Sequence, residues 1–493
     1  MAKNGSNRLN KGYVGVNKFA STGEGIINTR NDYLNKVFNT VDISGLSPNF
    51  SLDFTKDSST WQPYVTFTRG ATATFLGSSG YITSANSNVP RITYDILGNT
   101  LGLIIEGATR QFTTFSEEID NSAWTKQNLV LTGTTANVAL APDGTTTADI
   151  IIPNTTASVA HYLLRLQGIG GINGTVSTLS FFAKKAGNTY PALRCQAYFS
   201  TGAPVDIVEF VVDLNNGNVS GATFYASGAG LNVKGDYTYL VEPYPNDWYR
   251  ISASGRNIQS NRQIVIWPLR GVTYIGNEAG DGVNGIYTWG HNWTATGEPL
   301  EYKKVDSAAI NTVADDCYVA GSSFSSWFKT NGSFYVEFYN KQDYFNQPIT
   351  QSGNAGVPAT GMTTVFSTQY SYQKLLTLGN MQLNGNDNFG LQVTSDGLMS
   401  TNGFTAYRKL NKAAISFTGT GSTYTIDFSL NGSLPQSLQT NNFRPDLIQY
   451  MTIGSSGLTT TSACFGHYNG IIKKIDFYST PLSKDQLRAI TNV

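Results

Sequence analysis

From about residue 50 onward the chain repeats one pattern: short segments of alternating apolar and polar residues, cut by glycine, serine and asparagine. "YVTFTRGATATFL" (64–76) and "RITYDI" (91–96) begin it. "VSTLSFFAKK" (176–185), "DIVEFVVDLNNGNVS" (206–220), "DWYRISASG" (247–255) and "IYTWGHNW" (286–293) continue it. A period of two places apolar side chains on one face of a strand, which suits half-buried antiparallel sheet and not helix. "DLNNGNV" predicts a hairpin in which Asn216-Gly217 supplies the positive φ angles of a two-residue turn, and "DFSLNG" predicts another at Asn431-Gly432. A second series runs through "GSFYVEFYN" (332–340), "TVFSTQY" (364–370), "NFGLQVTSDGLMS" (388–400), "KAAISFTG" (412–419) and "STYTIDFSLNG" (422–432). The expected fold is mainly β: two antiparallel β-sandwich (jelly-roll) domains in series after a short N-terminal arm with a little helix. Near the end, Ile472, Ile475 and Phe477 line a strand, and Ser483 caps a short helix "KDQLRAI" with Asp485 in its first turn.

Composition agrees with that class. Charged residues make up 13% of the 493, against about 25% in an average globular protein. Formal net charge is zero, so the chain as a whole is no electrostatic magnet for nucleic acid or anionic membrane. No run approaches the roughly 18 apolar residues of a transmembrane helix, and the opening "MAKNGSNRLNKGYVGV" lacks the apolar core of an ordinary signal peptide. Cys195, Cys317 and Cys464 lie far apart with no CxxC, which argues against a disulfide framework or a structural zinc site. His161, His291 and His467 are equally scattered, so spacing supports neither a histidine metal site nor a Ser-His-Asp triad. No cofactor is expected.

Residues 1–48 differ from the rest. Lys3, Arg8, Lys11, Lys18, Arg30 and Lys36 outnumber Glu24, Asp32 and Asp42, and alternation is absent. "NDYLNKVFNTV" (31–41) places Tyr33, Leu34, Val37 and Phe38 on one helical face, with Asn31 as N-cap. The segment is expected to be an arm that orders against a partner, preferring an acidic dock; the alternative is a flexible tail. The divisions that follow are a β-rich connecting region (49–111), a first jelly roll (112–295), a connector (296–323) and a second jelly roll (324–493).

"FTRGATATFLGSSGYITSANSNVPRITYD" (67–95), "LGLIIEGATRQFTTFSEEIDNSAWTK" (101–126), "APDGTTTAD" (141–149), "NDWYRIS" (246–252) and "YTWGHNW" (287–293) together resemble a family of virion proteins of tailed bacteriophages. "FSSWFKTNGSFYVEFY" (324–339) is similar to the join between that family's two modules, and "IKKIDFYSTPLSKDQLRAI" resembles the closing strand and helix of a concanavalin-like or laminin-G-like lectin domain. The resemblance covers roughly 60–493 and departs from the family at "RQFTTFSEE" (110–118), so no ligand role carries over at 111–114. It implies a carbohydrate-binding-module-like domain followed by a lectin-like domain in a tail fibre, tailspike or related appendage. That implies in turn a homotrimer, made in the host cytoplasm and carried on the virion, with other virion proteins and a host surface glycan as partners. Two alternatives stand beside it: a polysaccharide-depolymerising tailspike, and a capsid-surface fibre or decoration protein.

Sugar recognition needs aromatic faces flanked by carboxylates and amides. Trp248, Tyr249, Tyr287, Trp289, Trp293 and Trp327 are the glycan-binding candidates, with Asn246, Asp247 and Asn292 beside them. In "DWYRIS", alternation sends one of Trp248 and Tyr249 inward. Trp124 is expected to pack in the core of the first jelly roll, and Tyr478 to be structural. Weak calcium candidates are Asp387 in "LNGNDNFG" and Asp213 in "DLNNGN", though both stretches also suit hairpin turns. Glycan cleavage needs two carboxylates roughly 5–10 Å apart. Glu117-Glu118 and Asp315-Asp316 are sequence neighbours whose side chains diverge on a strand, so no catalytic residue is assigned.

Overall fold

The computed structural model describes residues 41 and 43–492, apart from 131–134, 169–175, 200–205, 227–236, 257–260, 275, 340–361, 371–372, 384–385, 394–396, 401–408 and 456–466. Tyr33, Leu34, Val37 and Phe38 lie outside the described residues. The chain is mainly β, with 49% strand and 6% helix, in several antiparallel sheets. This is the fold class that the alternation predicts.

Four large sheets form two sandwiches. In one, the strands Tyr237–Tyr244, Trp248–Arg256, Val176–Lys185, Ile286–Thr294, Arg110–Gln111 and Ile310–Asn311 lie side by side, with Asp149–Ile151 also on Ile286–Thr294. They face Val219–Ala226, Asp206–Asp213, Ala192–Tyr198, Asn261–Leu269, Tyr162–Gly168 and Thr125–Gln127. Leu163, Phe181, Leu193, Phe199, Phe210, Ile251, Ile266 and Trp293 fill the space between. Trp124 belongs to this core: it is 2% exposed, packs on His291 and donates its indole N–H to the Phe115 carbonyl at 3.0 Å.

The other sandwich is discontinuous in sequence. One sheet runs Gln436–Thr440, Thr423–Leu430, Leu410–Thr420, Gly332–Tyr339, Gly470–Tyr478, Thr100–Ile105 and Ile92–Tyr94, and Phe50–Asp53 also pairs with Gly470–Tyr478. The facing sheet runs from Thr66–Thr68 and Asp316–Ala320 through Tyr450–Ile453 to Met362–Tyr370, Gln373–Leu383, Asn386–Val393 and Gly397–Ser400. Phe50 sits opposite Phe477, Leu52 opposite Ile475 and Ile105 opposite Gly470. Leu52, Phe54, Trp61, Leu103 and Ile105 join Phe334, Phe417 and Phe477 in one core. Residues 49–111, expected as a connecting region, therefore supply strands and core to the C-terminal sandwich, and the stretch 110–311 is inserted within it. Alternation marks a strand but not its partner; here the partners are more than 360 residues away, beyond the reach of local pattern.

The chain leaves and re-enters the enclosing sandwich at one place. Asp315 N–H donates to the Glu106 carbonyl at 2.9 Å and Thr312 N–H to the Thr109 carbonyl at 2.8 Å. Beside this neck a buried ionic cluster forms. Asp315 accepts from Arg69 (Nη1–Oδ1 3.1 Å) and from Arg91 (Nη2–Oδ2 2.6 Å), and Arg91 also reaches Glu106 at 2.8 Å. Burial alone would lower the Arg91 guanidinium, but Glu106 and Asp315 hold it above its ordinary value.

Details at the C-terminus follow from local rules. Glu337 pairs with Lys474 but Phe338 with Ile472, an extra residue on the last strand. That bulge turns Ile472 and Ile475, an odd three apart, into the same core. Ser483 caps the helix Lys484–Ile490 in a capping box with Gln486. Leu482 and Leu487 pack with Tyr335 and Tyr478, so Tyr478 lies under this helix on the outer side of the sheet. Asn431 and Gly432 both have positive φ, as a two-residue turn of this kind requires. At the other hairpin only Gly217 does; Gly217 N–H bonds the Asp213 carbonyl at 2.7 Å, so the loop is longer than the two residues expected.

Candidate functional site

Four of the six aromatic candidates are core residues. Trp248 and Trp289 are each 1% exposed and pack with Phe182, Tyr302, Ala141, Ala148 and Ile82. Trp293 is 1% exposed, lies against Phe199 and donates to Ser177 Oγ at 2.8 Å. Trp327 stacks on Phe50 with centroids 4.2 Å apart and donates to the Ser323 carbonyl. None of these rings has a face open to a sugar, which corrects the expectation for Trp248, Trp289, Trp293 and Trp327. The cause is legible in the "YTWGHNW" strand. Ser180 pairs with Asn292 but Phe182 pairs with Trp289, so this strand carries an extra residue at Gly290, whose φ is +65°. The bulge sends Trp289 to one side of the sheet and Trp293 to the other, and both sides are covered. Tyr249 and Tyr287 are half-buried; the Tyr249 ring lies against Gly217, where an added Cβ would come within 2.6 Å of Cε1.

The site lies on a strand the sequence analysis passed over. In "NRQIVIWPL" (261–269) Ile264 and Ile266 enter the core, so Val265 and Trp267 turn to the outer face. Six of the seven tryptophans are buried; Trp267 alone is half-buried. Arg194, directly opposite on the next strand, lies over its indole with the guanidinium carbon 4.1 Å from the ring centroid. Tyr162, from the strand on the other side, approaches to 4.8 Å at 47°. Trp267 donates its indole N–H to Gln196 Oε1 at 3.0 Å, and Gln196 donates in turn to Glu209 Oε2 at 2.5 Å. Burial, then the Glu209 charge, pushes the Tyr198 hydroxyl up, keeping it a donor. Arg194 makes no ion pair among the described residues, and its Nε has no hydrogen-bond partner. A row of indole, guanidinium, amide and carboxylate on a rigid sheet is equipped to bind a polyhydroxyl ring: apolar and π surface for its C–H face, donors and an acceptor for its hydroxyls. Pure alternation around Trp267 was the signal available in the sequence.

The carboxylate neighbours do separate. Asp315 enters the arginine cluster, while Asp316 faces His467 at 3.6 Å. Glu117 is turned inward to the Tyr302 hydroxyl at 2.9 Å, and burial raises its carboxyl above the usual range. Asp213 accepts from Asn215 N at 2.9 Å and from the Asn216 amide, a turn brace. The side chain of Asp387 lies outside the described residues. No group of three His, Cys, Asp or Glu side chains suited to a metal occurs among the described residues.

His291 sets a pH dependence. It is stacked on Phe181 and packed against a tilted Trp124, and burial pushes its pKa down to about 3, with the Ser116 carbonyl opposing. The unfolded chain takes up a proton near pH 6.5 and the folded chain does not, so between about 6.5 and 3 this residue costs stability as pH falls, by about 1.4 kcal/mol per unit. Asp149 works the other way, since burial raises it to about 6 and its folded form gains the proton first. The difference between wild type and H291Q isolates the histidine. Urea unfolding at several pH values should give two profiles converging toward acid; parallel profiles would refute a neutral buried His291.

No protein-family model matches the chain, and no curated protein matches it. Among solved structures, the carbohydrate-binding module of the Ruminococcus gnavus IT-sialidase is 15% identical, covers 33% of this chain and 83% of its own, and has a TM-score of 0.24. A pentraxin from Limulus polyphemus is 13% identical over 33% of this chain and 70% of its own, TM-score 0.23. Domains LG4-5 of the mouse laminin α1 chain are 10% identical over 67% and 89%, TM-score 0.20. These are lectin-like β-sandwiches, and the values are too low to carry a ligand or an activity. Nothing in these matches points to a phage protein.

Proposed function

We propose that the chain is a glycan-recognising structural protein of a tailed-phage appendage, docked on the particle through residues 1–48. The single observation that carries the binding role is Trp267, the one tryptophan that is not fully buried, framed by Arg194, Tyr162, Gln196 and Glu209. The phage setting and the homotrimer rest on the sequence resemblance over 60–493. Binding without cleavage is part of this reading, supported by the separation of Asp315 from Asp316 and by the contact of Glu117 with Tyr302.

Incubation with the surface polysaccharide of the host bacterium should give binding and no new reducing ends. Trp267→Ala should weaken binding at least about tenfold, the effect of losing a central aromatic contact. Unchanged affinity in a folded W267A chain would remove this face from the function, and released oligosaccharides would make the protein a depolymerase. Particles assembled with a chain lacking residues 1–48 should not carry it, and normal incorporation would rule out the arm as anchor. Light scattering should give three times 53.4 kDa; a single mass would rule out the trimer.

A further inference from the structure

The enclosing sandwich has its own candidate surface, far from Trp267 in sequence and on different sheets. Thr418, Thr425 and Gln439 stand directly opposite one another across three adjacent strands, and Thr420 opposite Thr423 at the hairpin end. Strand neighbours are about 4.8 Å apart and alternate residues about 7 Å, so the hydroxyls form a fixed grid. Together with Asn331, Asn441 and Pro481 this grid lines an open groove of about 850 Å³.

Two properties set the groove apart from ordinary polar surface. First, the hydrogen-bonding capacity of its threonines and of Gln439 is unspent, although Asn331 accepts from Gly419 N at 2.8 Å. The side chains of Thr418, Thr420, Thr423, Thr425 and Gln439 make no hydrogen bond to other described residues, and all but the half-buried Thr425 are exposed. Second, its lining holds no charged side chain. The charges nearby are already paired: Lys484 with Asp427 at 3.6 Å, and Arg444 with Asp446 at 2.6 Å. An ionic ligand gains nothing there. An apolar protein segment would leave the threonine hydroxyls and the Gln439 amide desolvated and unpaired, at a cost. A neutral polyhydroxyl chain can exchange its own hydroxyls for the water on Thr418, Thr425 and Gln439, and lay a C–H face on the Pro481 ring.

We propose that this groove is a second binding site, specific for an uncharged oligosaccharide, so that one chain engages a polysaccharide at two separate points. Two linked sites strengthen overall binding without any new contact, provided one polymer spans them. The site stands on its own geometry and does not depend on the Trp267 face.

Affinity electrophoresis of the full chain tests it, with dextran, galactomannan and chitohexaose as neutral probes and polygalacturonate as an anionic one. The variant T418V/T425V/Q439L keeps shape and strand propensity while removing two hydroxyls and an amide. T425R places a bulky charge in the groove. At least one neutral probe should retard the wild type, and both variants should weaken that interaction about tenfold, as the loss of several neutral hydrogen bonds implies. W267A should retain the groove-dependent part. Retardation by no neutral probe, or retardation that both groove variants leave unchanged, would overturn the proposal. Sensitivity to W267A alone would leave the Trp267 face standing and this groove without a ligand. Sensitivity to the groove variants alone would do the reverse.

Discussion

Replacing Asp315 with alanine should destabilise the enclosing sandwich by about 3–5 kcal/mol, a large part of the stability of any domain. The Asp315 side chain is 0% exposed and holds two guanidiniums, those of Arg69 and Arg91, each 1% exposed. It also accepts the backbone N–H of Glu106 at 2.9 Å. The cluster is neutral as built, with two arginines against Asp315 and Glu106. Alanine leaves one positive charge uncompensated where water cannot reach, and strands the donors that the carboxylate satisfied. The loss is greater than the net worth of the ion pairs, because the remaining charge keeps its desolvation penalty. Urea denaturation of D315A should show the midpoint falling sharply. A change under about 1 kcal/mol would mean that the cluster is not buried as described.

The second large effect concerns topology. If 110–311 is an insert, its removal should leave the enclosing sandwich folded. The neck is already closed, since Glu106 and Asp315 are hydrogen-bonded across it. Replacing 108–313 with an Asn-Gly turn therefore joins two chain segments that are already neighbours. The core from Phe54 and Leu103 to Phe477 is retained whole. One part should suffer: the hairpin Ala73–Leu76/Ile82–Ala85 loses the cover of its Ile82 by Trp289 and Tyr302. The shortened chain should show a β-type circular dichroism spectrum and one cooperative unfolding transition. Non-cooperative unfolding would instead make the two sandwiches a single folding unit.

The sequence carried strand identity well and strand partnership poorly. Alternation located strands such as Val176–Lys185, Ile286–Thr294, Gly332–Tyr339 and Thr423–Leu430 but passed over Tyr162–Gly168, Ala192–Tyr198, Asn261–Leu269 and Gln373–Leu383, while the Ser483 cap and Asn431-Gly432 turn followed from backbone chemistry within a few residues. The discontinuous sandwich was hidden because Phe50, Ile105 and Phe477 are matched by sheet register, which no local rule encodes. The site was misplaced for a different reason. Trp289 and Trp293 look like an exposed pair because they are four apart and bordered by polar residues. A bulge at Gly290 sends them to opposite sides of the sheet, where Tyr302 covers Trp289 and Phe199 covers Trp293, and neither cover is visible without the third dimension. Trp267 was readable from the alternation of Ile264 and Ile266 just before it, yet its partners Arg194, Glu209 and Tyr162 come from three other strands.

The central claim is that glycan meets this protein on the face that carries Trp267. Limited oxidation with N-bromosuccinimide, with each tryptophan followed by mass spectrometry, measures it directly. Without ligand, Trp267 should react well ahead of Trp61, Trp124, Trp248, Trp289, Trp293 and Trp327, which are 1–7% exposed. With saturating host polysaccharide, oxidation at Trp267 should fall severalfold while the rest stay as they were. Equal reactivity of Trp267 with and without bound polysaccharide would contradict the account.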